Sequence, residues 1–424
     1  MSRKVVNFLK NILLLGNGFD LYYKLPTKYD NFLHVVDFLQ NHREAHLKTI
    51  GDVFSQQSLQ ETDPFIKICY EAHKKTYDSL SLDENDVNKI LRLTDENIWF
   101  SYLKKVFNKD VGWIDFEQEI SFVLKCFETA FKKSTTLNFK FEENHIKYVI
   151  TLFDFFVSKV ASNSIDHRID YKVNSDYRIE KPFGSKNEII NTEKVVDKLY
   201  EELSNLSKAL ILYLRCFIES TYELLKKDGS LRRIEFFSHI ERVVTFNYTH
   251  TYENLYFNNI AFHIHGNTEN EIVLGINPDE SDNLSSIDTT FVSFKKYYQR
   301  TLFETDMDYI RWINELVDSK TPYRLFTMGH SLDITDKDII AELFKNAKEI
   351  VILYHSLDAK KSLISNLIKL FGKNGFDILK KEKKLTFTFL NQDLSLLKHD
   401  LGEESWNDLF SKFHEDAGKQ IIPV

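Results

Sequence analysis

Four short fragments hold the residue types from which a nucleotide-handling site can be built. The first is Asn11-Ile12-Leu13-Leu14-Leu15-Gly16-Asn17-Gly18-Phe19-Asp20, an apolar run that breaks at two glycines one residue apart. A turn of that kind lets the backbone approach a phosphate, and the first N–H groups of the following helix can face the anion. The other three lie more than two hundred residues further on: Thr245-Phe246-Asn247-Tyr248-Thr249, His263-Ile264-His265-Gly266 and Gly329-His330-Ser331-Leu332. A neutral histidine can take a proton near its ordinary pKa of ~6.5. An asparagine amide orients a water or a hydroxyl and does not titrate.

Each fragment also has a purely structural reading. Gly16 and Gly18 suit a tight strand–helix turn, and Asn247 suits a helix cap. His263 and His265 stand two apart, so on a strand they share a face, with Phe262 and Ile264 opposite. Two such imidazoles can chelate, yet no acidic or cysteine ligand nearby completes a set, so no metal is expected. Which of the two histidines works as a base stays open. His330 lines its turn, Ser331 caps or contacts phosphate, and His355 reads as a surface loop residue. Trp113, Asp115 and Glu117 make either a carboxylate site or an ordinary first helical turn. The glycine turn departs from a dehydrogenase fingerprint, because its third glycine would fall at Leu21 and no second strand ends in an acid some twenty residues on. Hydride transfer is disfavoured.

The elements that must position these fragments follow from periodicity. From about Tyr29 to about Arg233 the pattern is helical, with stripes such as Phe116, Ile120, Val123, Leu124, Phe127, Phe131 and, later, Leu206, Leu210, Tyr213, Leu214, Phe217, Thr221, Leu224. Asn163 to Lys186 is polar, contains Pro182 and Gly184, and reads as a loop. After about Ile234, apolar runs alternate with helical stretches: Val243–Phe246, Ala261–His265, Ile272–Ile276, Leu325–Met328, Ile350–Tyr354 and Leu385–Leu390 are expected strands. Thr335 with Asp338 reads as a helix cap. A lone N-terminal strand cannot bury both its faces, so it must join the C-terminal sheet. The expectation is an α/β Rossmann-like parallel sheet built from 1–30 and 234–424, with 31–233 as a large all-helical insertion.

Composition narrows the class. With 35 Phe and 20 Tyr against 13 Gly and 6 Pro, the chain favours packed helices over an all-β sandwich. A net charge of −8 argues against a surface that coats nucleic acid. Three scattered cysteines, Cys69, Cys126 and Cys216, read as reduced core thiols. The first apolar run is far short of the ~20 residues that span a bilayer, and no export signal follows it, so a cytoplasmic protein without a membrane partner is expected.

Taken together, the fragments resemble a known family. Gly16-Asn17-Gly18-Phe19-Asp20 with Leu25-Pro26, then Thr245-Phe246-Asn247-Tyr248-Thr249, His265-Gly266 and Gly329-His330-Ser331-Leu332 with Asp336, resemble the sirtuin motifs in the sirtuin order. More closely, Gly-Asn-Gly-Phe-Asp, Leu-Pro-Thr-x-Tyr, Trp113-Ile114-Asp115-Phe116-Glu117, Phe-Asn-Tyr-Thr and His-Ile-His-Gly resemble the AbiH family of phage abortive-infection proteins. The resemblance implies His265 as base and Asn247 as the residue that orients water. It implies NAD, as substrate or ligand, held by Gly16, Asn17, Gly18, Phe19, Asp20, Pro26, Thr245, His263, Gly266, Gly329 and Ser331. Thr27-Lys28-Tyr29 and Thr249 depart from the sirtuin pattern, and no four-cysteine zinc module is present, which counts against protein deacetylation. The implied activity is hydrolysis of the nicotinamide–ribose bond in anti-phage defence, triggered by a phage-derived signal or partner protein. The alternative is an ADP-ribose-type nucleotide sensor that signals without cleaving. A nuclease is a third reading, opposed by the acidic balance and by the lack of a metal–carboxylate cluster. The aromatic-rich helices would offer a face for a homo-oligomer.

Overall fold

A computed structural model describes residues 9–107, 115–133, 144–160, 169–179, 189–256, 261–277, 289–382 and 384–390. Contacts group the chain into two compact units: Met1–Thr27 with Glu219–Asn267 and Glu304–Val424, and Lys28–Ile218 with Thr268–Phe303.

The first unit is built on six strands: β1 (Lys10–Leu15), β2 (Arg242–Thr245), β3 (Ala261–His263), β4 (Tyr323–Met328), β5 (Glu349–Tyr354) and β6 (Leu385–Phe389). All pairings are parallel, and the spatial order is β3-β2-β1-β4-β5-β6. β1 is apolar on both faces because both are covered, which is the rule for a parallel sheet. Its register sets Leu15 beside Thr245 on one side and Met328 on the other. One face packs Ile12, Leu14, Leu325 and Ile352 against α8 (Met307–Asp318), α9 (Lys337–Asn346) and α10 (Leu357–Lys381). The α/β expectation and the joining of the N-terminal strand to the C-terminal sheet hold.

Three local expectations change. Ile272–Ile276 forms no strand; Ile276 makes a single bridge to Lys295. The run is buried, but the Gln299 side chain acts as its pairing partner: the Leu274 N–H donates to Gln299 Oε1 at 3.0 Å, and Gln299 Nε2 donates to the Leu274 carbonyl at 3.2 Å. One amide side chain thus satisfies a buried peptide group that would otherwise need a neighbouring strand. Thr335 is not a cap: it lies in a 3₁₀ turn, Ile334–Asp336, capped by Asp333, which accepts from the Thr335 N–H at 3.1 Å, and the N-cap of α9 is Asp336, which makes no side-chain capping bond. Ile169–Val173, read as loop, pairs antiparallel with Phe156–Val160, and Arg178–Ile179 pairs with Ile189–Ile190. The second unit is therefore helical with two short strand pairs, not wholly helical. Ser175–Tyr177 forms a 3₁₀ turn, while 163–168 and 180–186, with Pro182 and Gly184, lie outside the described residues.

Within the second unit, α2 (Tyr29–Asn41), α3 (Pro64–Ser79), α4 (Glu84–Thr94), α5 (Phe116–Lys133) and α6 (Thr192–Tyr213) each bury an apolar face, and α5 and α6 carry the stripes read from the sequence. The stripe that begins at Leu206 continues past Tyr213 as a π-helical stretch, Leu214–Ile218, then a 3₁₀ turn, Glu219–Thr221. Among the described residues no helix is long and apolar enough to cross a membrane.

Candidate functional site

The sheet order reverses direction between β1 and β4, and open α/β sheets bind ligands at such a switch point, beyond the carboxyl ends of the strands. Here the turns after those two strands pack directly on each other. The Gly16 N–H donates to the Met328 carbonyl at 3.1 Å, and the Gly18 N–H donates to the Gly329 carbonyl at 2.9 Å. A Cβ on Gly16 would sit 2.6 Å from His330 Cα, and one on Gly18 2.6 Å from Gly329 Cα. Gly329 itself has φ +72°, and a Cβ there would meet Phe19 N at 2.3 Å. Backbone-to-backbone contact accounts for all three glycines, and it commits the Gly16 and Gly18 N–H groups within the turn pair. The Phe19 N–H is committed as well, to the Gly16 carbonyl at 2.9 Å.

The residues around this turn divide into struts and polar groups. Phe19 is fully buried against Tyr23 and Tyr252. Asn17 is tied to Thr27 by two hydrogen bonds, which fixes the loop carrying Pro26. Asp20, in the one-turn helix α1 (Gly18–Tyr22), is 1% exposed. Its Oδ2 accepts from the Thr249 hydroxyl at 2.6 Å. Burial pushes its carboxyl up to about 6; the Thr249 and Thr251 hydroxyls pull the other way, and Glu219 and Glu253 add to the rise.

Asn247 follows β2. Its N–H donates to Thr245 Oγ1 at 3.1 Å, and its carbonyl accepts from His263 Nδ1 at 2.9 Å. Its side-chain Oδ1 is buried without a donor. The next helix, α7 (Thr251–Tyr256), begins four residues later, so Asn247 does not cap it.

The two histidines do not share a face, because β3 ends at His263 and the chain turns: the Gly266 N–H donates back to the His263 carbonyl at 3.0 Å. A carbonyl can only accept, so His263 Nδ1 carries a proton, and its Nε2 pairs with Glu253 Oε1 at 2.7 Å. His263 is thereby locked on both ring nitrogens. His265 lies elsewhere, with Nε2 3.4 Å from Asp336 Oδ1. Asp336 also faces His330, whose Nε2 is 3.5 Å from Oδ2 and whose Nδ1 accepts from the Leu332 N–H at 2.8 Å. The Phe246 ring stands edge-on to both imidazoles, 5.1 Å from His265 and 4.4 Å from His330. Asn247, His265, His330 and Asp336 are each more than nine-tenths buried. Ser331 is exposed, and its carbonyl accepts from Asn366.

The site is thus a carboxylate between two imidazoles, with the Asn247 amide at the end of β2 and a second set of carboxylates and imidazoles around Asp20 and Glu253. Asp336 entered the sequence reading only as part of a motif; Glu253, Glu219 and His250 did not enter it at all, since nothing local marks a helix or turn acid as an imidazole partner. Asp115 accepts from the Glu117 and Gln118 N–H groups, and Glu117 pairs with the buried Lys296 at 2.7 Å, so these two carboxylates cap and brace α5. Trp113 lies outside the described residues. A groove of about 420 Å³ on α4 and α6, lined by Lys89, Arg92, Leu93, Lys208, Ile211 and Leu212, carries no acid–base set.

An open parallel sheet in this order, with imidazole, amide and carboxylate groups gathered beyond its strand ends, defines a Rossmann-like α/β protein. The chain belongs to the AbiH family: the family model described as bacteriophage abortive infection AbiH matches residues 12–355. Its role is accordingly in abortive-infection defence against phage. No curated protein and no solved structure matches the chain.

Proposed function

We propose that the chain acts in that defence by hydrolysing the nicotinamide–ribose bond of NAD or a close nucleotide. The observation that supports this most is the placement of His265, which follows β3, against Asp336, which follows β4, at the carboxyl end of the sheet where Asn247 follows β2. Cleavage of an N-glycosidic bond passes through an oxocarbenium-like ribose. His265 takes a proton from the attacking water or a ribose hydroxyl, and Asp336 stabilises the imidazolium that forms. Asn247 Oδ1, an acceptor that lacks a donor, orients the hydroxyl or water. The glycine turns set the floor of the crevice for the pyrophosphate. The sirtuin-like motifs and the cytoplasmic location read from the sequence belong to the same proposal, as does a phage-derived trigger.

Because the reacting groups are buried, the resting protein is slow, and infection is the condition to test. Cells carrying the protein should lose NAD and accumulate ADP-ribose and nicotinamide after phage infection. His265→Ala and Asn247→Ala, expressed at wild-type levels, should each hold NAD steady. Unchanged NAD loss in both variants overturns the assignment. The second reading, a sensor that binds ADP-ribose without turnover, draws on the burial of His265 and Asn247, which keeps the reacting groups from bulk water. Tight calorimetric binding of NAD with no product release from the infected-cell protein would select it.

A further inference from the structure

The turns after β1 and β2 carry an excess of one kind of polar atom. Three oxygens there are buried with no donor in hydrogen-bonding geometry: Asp20 Oδ1, Asn247 Oδ1 and Glu253 Oε2. All three are acceptors. They cluster: Thr249 Oγ1 donates to Asp20 Oδ2, His263 Nδ1 donates to the Asn247 carbonyl and its Nε2 meets Glu253 Oε1, and the two sets adjoin, since the His250 ring lies 5.1 Å from that of His263 and the Glu253 charge reaches Asp20. The Thr251 hydroxyl lies near Asp20, but it is engaged with Thr249 at 3.3 Å and with Tyr222 at 2.7 Å. Glu219 extends the acidic side of the cluster and is held by the His250 N–H and Nδ1 at 2.8 and 3.0 Å.

Buried acceptors without donors are rare in native proteins, and each is costly. Three in one cluster call for an occupant rich in donors. Two of the three belong to carboxylates that repel each other, so the occupant must bring polarised hydrogens and no negative charge of its own at that point. A vicinal diol meets this description: it presents two O–H donors side by side, and carboxylates are the usual partners of ribose hydroxyls. Phosphate and carboxylate groups do not.

Resting on the reading above that the crevice takes a nucleotide, we infer that Asp20, Glu253 and Asn247 form a subsite for the hydroxyls of a ribose. The site therefore distinguishes ribosyl from deoxyribosyl ligands. Asp20 and Glu253 are binding residues here, and His263 is a positioning residue that holds Glu253 and the Asn247 backbone together.

The test is calorimetry of the full chain with ADP-ribose and with analogues lacking the 2- or 3-hydroxyl of the distal ribose. A hydrogen bond to a charged acceptor corresponds to about 10- to 100-fold in affinity, so the wild-type protein should prefer ADP-ribose by that factor. Glu253→Gln and Asp20→Asn, confirmed folded by thermal melts, should weaken ADP-ribose and bring the ratio near one. Equal binding of ADP-ribose and its deoxy analogues by the wild type overturns the diol subsite while leaving the nucleotide reading intact. Binding of neither overturns both. A preference that survives in both variants also overturns it.

Discussion

Two aspartates, one in each unit, are almost equally buried and meet opposite fates. Asp63 is 5% exposed and Asp20 is 1% exposed. Burial pushes the Asp63 carboxyl up, but the hydrogen bonds from His34 and Asn31, the His34 charge and the Ile66 N–H outweigh it and hold the group below the usual carboxylate range. Its two oxygens accept from Asn31 Nδ2 at 2.7 Å, His34 Nδ1 at 3.1 Å, and the Phe65 and Ile66 N–H groups at 3.0 and 3.3 Å, as the cap of α3. Asp20 has only the Thr249 hydroxyl at 2.6 Å and the nearby Thr251 hydroxyl on its side, and two acidic neighbours against it. Equal burial with unequal hydrogen bonding separates a carboxylate that holds the fold from one left short of donors at the strand ends. Carboxylates of the second kind belong where a ligand is to complete them.

The sharpest break of this contrast is Asp63→Ala. It strips a buried imidazole and amide of their partner and removes a helix cap, and should cost about 3–5 kcal/mol in chemical denaturation. A loss under 1 kcal/mol would show that Asp63 is not the anchor its four bonds suggest. Asp20→Asn should act in the opposite direction at pH 7.5. A carboxyl raised from 3.8 to about 6 is destabilised as an anion by about 3 kcal/mol, so the variant should melt higher than the wild type.

The same difference has a pH signature. Because the folded Asp20 pKa lies above the unfolded one, its stabilising contribution is complete below about 3.8 and is lost as pH rises through about 6. The wild-type and Asp20→Asn melting temperatures should converge near pH 4 and separate by pH 7. Asp63 runs the other way: its contribution is present above the ordinary carboxylate range and is lost as pH falls through its depressed value. Parallel melting curves for the wild type and Asp20→Asn across pH 4–7 would remove the distinction. The smallest effect is expected from Thr249→Val, which deletes the one clear donor to Asp20 and should cost about 1 kcal/mol at pH 7.5, and less at pH 4.5, where Asp20 is protonated.

Much of this was legible in the chain itself. The run Ile12–Leu15 is too apolar to be an edge strand and too isolated to fold alone, and both faces are indeed covered. The runs at Val243, Leu325 and Ile350 announced strands for the same reason. Ile272–Leu274 has the same character, yet a glutamine 25 residues away took the place of a neighbouring strand, a substitution that no local pattern reveals. The Ile169–Val173 strand did carry a signal, since Ile169, Tyr171 and Val173 alternate with Asp170 and Lys172 at the period of two that half-buried strands show. At the site, the fragments were found but their partners were not. His263 and His265 look equivalent on paper; two more residues of strand would have made them so. The end of β3 at His263 sends one to Glu253 and the other to Asp336.

The central position of β1 also sets a schedule for synthesis. Its partners are β2 and β4, so Leu15 must wait for Thr245 and then Met328 before it has a neighbour on each side. At about 5–20 residues per second, the roughly 300 residues between β1 and β4 take on the order of 15–60 s to appear. Closing so long a loop is slow but entropically tolerable. Until it closes, neither the paired turns at Gly18 and Gly329 nor the approach of His265 to Asp336 exists. A ribosome stalled midway through the message would therefore release a product with neither the paired turns nor the His265–Asp336 approach.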